Sequence, residues 1–216
     1  MINNVLVWMA SYLLGSLPPG LLWAWVAQKI DVRRHGSGRT GGTNVWRSAG
    51  FPAALLTAIF DALKGTAAVV VARWIGLSPW GQAVAGTMAV VGHNYSVFLR
   101  FDGGAGTATS IGVTAALWLP SLPILLISGT VVGLLVGHAS VASIFVALML
   151  PVLHLLHGSV PHTVGFGLTA MALTLWALRP NIGRLFKGQE RFLPIYHEKP
   201  PLIKLSHHPT DRNAGP

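Results

Sequence analysis

Cysteine is absent from the chain, which excludes disulfides, a thiolate nucleophile and any cysteine-ligated metal. Charge is scarce: 10% of the 216 residues are Asp, Glu, Lys or Arg, against roughly a quarter in soluble globular chains. Only six of these are acidic. His154 and His157 stand at i, i+3, a spacing that suits a metal, but no carboxylate lies near them in sequence to complete a site, so no metal is expected. The formal charge of +9 does not point to nucleic acid, because the basic residues flank apolar segments instead of covering a solvated fold.

Apolar residues fill the space that charge leaves. They make up 52% of the chain, and the mean hydropathy is +0.57. Runs of about 17 to 25 apolar residues are long enough to cross a bilayer. Such runs fall near 4–27, 51–75, 80–99, 107–120, 121–138, 140–157 and 162–178. The expected fold is all-α and integral to a membrane, with about seven transmembrane helices; six spans and a re-entrant segment fit the short fourth run as well. The first segment has no basic start and carries Pro18 and Pro19 where a signal peptide would be cleaved, so it is expected to be retained. No linker or internal repeat divides the chain. One membrane domain is expected over 1–199, followed by a Pro-rich polar tail over 200–216 that reads as disordered.

The basic residues also set an orientation. Lys29, Arg33, Arg34, Arg39 and Arg47 lie in the first loop, Arg100 in the third, and Arg179, Arg184, Lys187, Arg191, Lys199, Lys204 and Arg212 after the last span. Only Lys64 and Arg73 of the 15 fall elsewhere. Cytoplasmic loops carry the excess of Lys and Arg. Seven spans with the N-terminus outside therefore put all three basic segments, and the C-terminus, on the cytoplasmic side.

Two of those segments are rich in glycine. Residues 100–112 read RFDGGAGTATSIG, with Gly103, Gly104 and Gly106 leading into Thr107, Thr109 and Ser110. A glycine-rich bend exposes backbone N–H groups, and a following helix N-terminus adds partial positive charge, which suits a phosphate. A tight re-entrant turn that needs glycine only for steric relief is the other reading. The first loop holds Gly36, Ser37, Gly38, Arg39, Thr43, Asn44 and Arg47. Arginine forks pair with phosphate oxygens and glycine permits close backbone approach, although a basic loop also grips anionic lipid headgroups.

Ionisable groups within the spans are fewer. Asp61 and Lys64 share a helix face in the second span, where each charge near mid-bilayer costs about 2.5 to 3.5 kcal/mol. The pair should therefore face the bundle interior, as a structural ion pair or as part of a site. His93 ends the third span as a base or a structural histidine. After the seventh span, Asn181, Arg184, Lys187 and Glu190 recur at helical spacing opposite Ile182, Leu185 and Phe186, which reads as an amphipathic interfacial helix and, as a functional reading compatible with it, as a polar face closing over the other two loops.

Taken together, GSLPPG (15–20), HGSGRTGGTNVWR (35–47), DALKG (61–65), GHNYSVFLRFDGGAGTATSIG (92–112), ASVASI (139–144) and NIGRLFKGQE (181–190) resemble, in order and spacing, the bacterial PlsY family of acyl-phosphate:glycerol-3-phosphate acyltransferases. The resemblance reaches to about residue 192. It implies a multi-pass enzyme of the bacterial cytoplasmic membrane that moves an acyl chain from acyl phosphate to the 1-hydroxyl of glycerol 3-phosphate. The products would be lysophosphatidate and phosphate, and a soluble PlsX-type synthase would supply the acyl phosphate. Carried over by position, it implies catalytic roles for Ser37, Arg47, Asn181 and Glu190. It implies substrate binding by Gly36, Gly38, Arg39, Thr43, Asn44, Gly103, Gly104, Gly106, Thr107, Thr109 and Arg184, with no cofactor. A different group of glycerolipid acyltransferases, which uses a histidine with an aspartate five residues on, is excluded because Phe98 stands at that position.

Three departures from the family pattern stand out. Ala105 takes the place of a lysine in the glycine motif, Arg39 and Thr40 replace the usual residues of the first motif, and Leu178, Arg179 and Pro180 stand where a histidine commonly precedes the asparagine. Arg39 is expected to reach over the glycine loop into the space left by Ala105. The rival readings are a diverged non-catalytic paralogue that binds acyl phosphate or lipid, and a small anion transporter. The transporter suits these motifs less, because they gather at one face and no inverted repeat accompanies them.

Overall fold

The computed structural model describes residues 2–158, 160–196 and 203 of the chain. Among them are nine α-helices and no strand. In chain order these are α1 (Ile2–Ser16), α2 (Pro19–Gln28), α3 (Gly42–Ala49), α4 (Phe51–Trp74), α5 (Pro79–Asn94), α6 (Thr107–Leu117), α7 (Ser121–Val136), α8 (Ala139–Leu156) and α9 (Pro161–Phe186). The continuous run of α1 and α2, α4, and α8 are long and apolar enough to cross a membrane; α6 and α7 are apolar but shorter. Every apolar run of the sequence thus carries helix. The expected fourth run ends early, at Leu117, and the expected seventh continues through Pro180 to Phe186. The separate interfacial helix anticipated after residue 178 is instead the last two turns of α9.

The break between α1 and α2 follows from Pro18 and Pro19, which lack N–H groups and interrupt the backbone ladder. Pro19 then starts α2, where its fixed φ suits a first helical turn. The carbonyl of Leu17, left without a helical donor, is taken by Lys64 Nζ of α4 at 3.0 Å.

Helices approach closely where small residues meet. A side chain at Gly15 of α1 would collide with the carbonyl of Ala89 in α5, and one at Gly92 of α5 with the carbonyl of Tyr12 in α1. Gly65 of α4 and Gly112 of α6 are fitted in the same reciprocal way against Thr109 and Ala62. Inside lipid, where apolar burial gives helices no reason to associate, such close packing holds them together. Val69, Val90, Val113, Leu125, Leu150 and Phe166 fill the centre, while Leu22, Phe60, Leu63, Ile127, Leu148 and Leu155 face outward. An outer surface as apolar as the core is what a lipid solvent permits. A second cluster, with Ala24, Val32, Val45, Ala49 and Ala53, seats the first loop and α3 on α2 and α4.

Of the tail expected to be disordered, only Ile203 lies within the described residues; its N–H donates to the carbonyl of Leu135 at 2.9 Å.

Candidate functional site: an arginine cluster beside the start of α6

The first loop is organised around one buried amide. Asn44 Nδ2 faces three carbonyl oxygens, those of Val32 at 3.1 Å, His35 at 3.0 Å and Arg39 at 2.9 Å, and its Oδ1 accepts from the Ser37 N–H at 2.9 Å. The side chain expected to meet substrate is therefore committed to the protein, and its work is to fold residues 32–39 into a cup. Gly36 and Gly38 turn that cup with φ values of 57° and 76°, a conformation costly for other residues. Asp31 starts it, accepting from the Arg33 N–H at 3.0 Å and from its guanidinium at 2.8 Å. Those contacts hold the Asp31 carboxyl down to about 2. Ser37 and Thr43 remain half-buried, and neither hydroxyl has a hydrogen-bond partner among the described residues.

The glycine loop differs from expectation in which amides it offers. The N–H groups of Gly103 and Gly104 donate to the carbonyls of Asn94 and His93, both at 3.1 Å, and so close the loop onto the last turn of α5. Gly103 and Gly104 were expected to hold a phosphate through these amides; their role here is to let the backbone lie against α5. The amides of Ala105, Gly106 and Thr107 have no partner among the described residues. Gly106, at φ 85°, leads into α6, whose dipole reinforces those free donors. In the first turn of α6 the hydroxyls of Thr107, Thr109 and Ser110, and beside Gly106 the Oδ1 of Asn94, are buried and have no partner among the described residues. Thr109 packs toward Gly65 of α4, which separates it from the loop side of α6.

The end of α9 folds back on itself through Glu190. Asn181 Nδ2 donates to Glu190 Oε1 at 2.9 Å and Arg184 Nε to Oε2 at 2.8 Å, with Glu190 only 7% exposed. Two residues expected to be catalytic, Asn181 and Glu190, and one expected to bind substrate, Arg184, thus bond to one another. The strand of chain that follows then crosses to α3 and α8. Arg47 Nη2 donates to the carbonyl of Phe192 at 3.1 Å, and His138 Nδ1 lies 3.1 Å from the carbonyl of Arg191, its ring stacked on Phe192 at 4.6 Å. His138 carries no signal in the sequence, because the carbonyl it holds is fifty-three residues away.

Arg39 joins these parts. Its Nη2 donates to the carbonyl of Ala177 in α9 at 2.5 Å, not to the glycine loop as expected. Burial lowers the pKa of Arg39; Asp102, the residue before Gly103, opposes that shift, Arg184 and Arg179 add to it, and Glu190 opposes it. Arg47 is lowered by burial and by Arg191, with Glu190 opposing and Arg184 adding. All three motifs therefore share one electrostatic neighbourhood, in which, among the described residues, Arg39 and Arg47 feel Arg179, Arg184 and Arg191 against Asp102 and Glu190. Such a surplus of guanidinium, beside free amides and hydroxyls, is suited to phosphorylated ligands. Among the described residues no group of three His, Asp or Glu is arranged to hold a metal.

Helices packed through small residues, apolar outer faces and a guanidinium cluster beside free backbone donors at the helix ends characterise a membrane protein suited to phosphorylated ligands. The sequence pattern of the glycerol-3-phosphate acyltransferase family matches residues 5–188, and the chain belongs to that family. A glycerol-3-phosphate acyltransferase of Thermus thermophilus is 43% identical over 193 residues, covering 87% of this chain and 94% of its own length. One of Rubrobacter xylanophilus is 41% identical over 188 residues, covering 87% and 94%. The crystal structure of PlsY, an integral membrane glycerol 3-phosphate acyltransferase, in its glycerol 3-phosphate form superposes with a TM-score of 0.82 at 30% identity, covering 88% of this chain and 96% of that one.

Proposed function

We propose that the chain transfers an acyl group from acyl phosphate to the 1-hydroxyl of glycerol 3-phosphate. Membership of the family makes it a membrane glycerol-3-phosphate acyltransferase, an enzyme of phospholipid synthesis. The observation that carries the chemistry is the joining of Arg39, Arg47 and Arg184 in one field beside the free amides of Ala105 to Thr107. Two phosphorylated substrates held together there would gain from guanidinium forks and from backbone donors that need no reorganisation.

The reaction on this reading is substrate-assisted. The hydroxyl oxygen attacks the acyl carbon, the bond from that carbon to the phosphate oxygen breaks, and the hydroxyl proton passes to a phosphate oxygen. Lysophosphatidate and inorganic phosphate leave. The mixed anhydride is already activated, so alignment and charge stabilisation supply the catalysis. Ser37 and the α6 amides hold one phosphate, and Arg47 and Arg39 the other. Glu190 orients Asn181 and Arg184, and Asn44 shapes the cup that presents Ser37. The acyl chain lies among the apolar helices.

On this reading the chain has seven spans with the N-terminus outside, which the one-sided distribution of basic residues supports, and the site lies at the cytoplasmic face of the cytoplasmic membrane. A soluble PlsX-type synthase would reach it there. The test is product identification: purified protein given palmitoyl phosphate and glycerol 3-phosphate yields 1-palmitoyl lysophosphatidate by mass spectrometry. Product from palmitoyl-CoA but none from palmitoyl phosphate would refute the donor assignment.

A further inference from the structure

Three ionisable side chains lie buried beside the site without belonging to the arginine cluster. Asp61 of α4 is 2% exposed, Lys64 of α4 6% and His93 of α5 7%. Asp61 Oδ1 accepts from Lys64 Nζ at 2.8 Å and lies 3.1 Å from His93 Nδ1. Lys64 also reaches the carbonyl of Leu17, at the break between α1 and α2. His93 in turn reaches the glycine loop twice. Its carbonyl accepts the Gly104 N–H, and its ring lies against the face of Gly104 where a side chain would stand. The three atoms nearest to a methyl built on Gly104 are Nε2, Cε1 and Cδ2 of that ring. In the neutral ring, donation from Nδ1–H to Asp61 leaves Nε2 as the unprotonated edge, and Nε2 has no hydrogen-bond partner among the described residues.

We propose that His93, oriented by Asp61, is a positioning residue for the glycine loop, holding Gly104 from behind so that the amides of Ala105 to Thr107 stay aimed at a phosphate. This rests on the reading of the loop as a phosphate site. A loop pinned only through the Gly103 and Gly104 N–H groups is free to roll about those two bonds. The imidazole removes that freedom, because the space into which Gly104 would roll is occupied. Lys64 neutralises the carboxylate that orients the ring and ties the network to the kink of the first span.

The structure supplies a reciprocal test. His93→Asn keeps an N–H for Asp61 but withdraws the ring edge from Gly104. Gly104→Ala puts a methyl where that edge stands. The double variant lets the methyl fill the vacated space. Steady-state kinetics with glycerol 3-phosphate and palmitoyl phosphate are measured for each, with thermal midpoints in detergent. Each single variant is expected to raise KM at least tenfold for one substrate, the same in both variants, while KM for the other stays within twofold and the midpoint stays near wild type. The double variant recovers most of the loss. Losses shared equally by both substrates, no change in either KM, or additive losses in the double variant would overturn the proposal. Should His93→Asn not fold, Gly104→Ala decides alone, since it keeps all three buried ionisable side chains and displaces only the ring edge from the loop: a selective rise supports the proposal and any other pattern overturns it. An inactive wild type would overturn the acyltransferase reading and this inference together, whereas an active wild type with unselective variants overturns only the inference.

Discussion

Arg39 of the first loop donates to the carbonyl of Ala177, three residues before Pro180 in α9. Pro180 has no N–H for the carbonyl of Trp176, so the helical ladder has an opening at this turn although α9 continues through it. Two arginines use the opening: Arg179 Nη1 donates to Trp176 at 3.2 Å, and Arg39 takes Ala177. Two departures from the family pattern, far apart in sequence, thus meet in space. With one nitrogen anchored on α9, the rest of the Arg39 fork is held near Asp102 and Glu190. Arg39→Ala is expected to lower kcat/KM ten- to a hundredfold, the loss of a charge-assisted contact of about 1.5 to 3 kcal/mol. Ala105→Lys should restore much of it in that background. Unchanged kinetics in Arg39→Ala would show that the guanidinium only braces α9.

Asn44 distinguishes a structural amide from a binding one. Its Nδ2 faces three carbonyl oxygens, so Asn44→Asp replaces a donor by an acceptor and sets a negative charge among them. Asn44→Asp should lose more activity than Asn44→Ala, by at least tenfold. A side chain that met substrate phosphate without shaping the cup would leave the two variants alike.

Glu190 holds two donors at once. Glu190→Ala leaves Asn181 and the half-exposed Arg184 without their partner, at about 1.5 to 3 kcal/mol for the charged bond and less for the amide. Glu190→Gln retains a bond to one of them and should lie between Glu190→Ala and wild type in thermal midpoint. Equal stability of all three proteins would contradict a bracing role.

Asp31 sets the acid limit of the first loop. Its folded value of about 2 lies below the ordinary 3.8, so the pair with Arg33 contributes fully above about 3.8 and is lost as pH falls through about 2. Both groups are partly exposed, and the contribution is at most about 1 kcal/mol. A carboxyl-carbon NMR titration of Asp31 should find its midpoint well below 3.8, moving back up in Arg33→Ala; a midpoint at the ordinary value in the wild type would refute the pairing.

Much of this was legible in the sequence because lipid imposes a strong signal. Apolar runs marked every one of the long helices, and glycine with basic residues marked the segments that form the site. The end of α9 was legible only in part: Asn181, Arg184 and Glu190 at helical spacing read as one polar helix face, and only the fold shows Glu190 beyond the helix, turned back to bond the other two. The amides of Gly103 and Gly104 look available in any glycine-rich stretch; that they close onto α5 depends on where α5 ends. Asp61 and Lys64 were readable as a pair by their spacing, but not their link to His93 and the loop. His138, acting on a carbonyl, left no pattern to find.

The most direct test of the acyltransferase reading is phosphate release from purified protein in detergent, given palmitoyl phosphate and glycerol 3-phosphate together and singly, beside Arg47→Ala. Arg47 lies on α3 within the arginine cluster, and one of its nitrogens already bonds the chain at Phe192. Release that requires both substrates and falls at least a hundredfold in Arg47→Ala is the predicted result. Release with palmitoyl phosphate alone at the same rate, or equal release by Arg47→Ala, would contradict an acyl transfer carried out by this cluster.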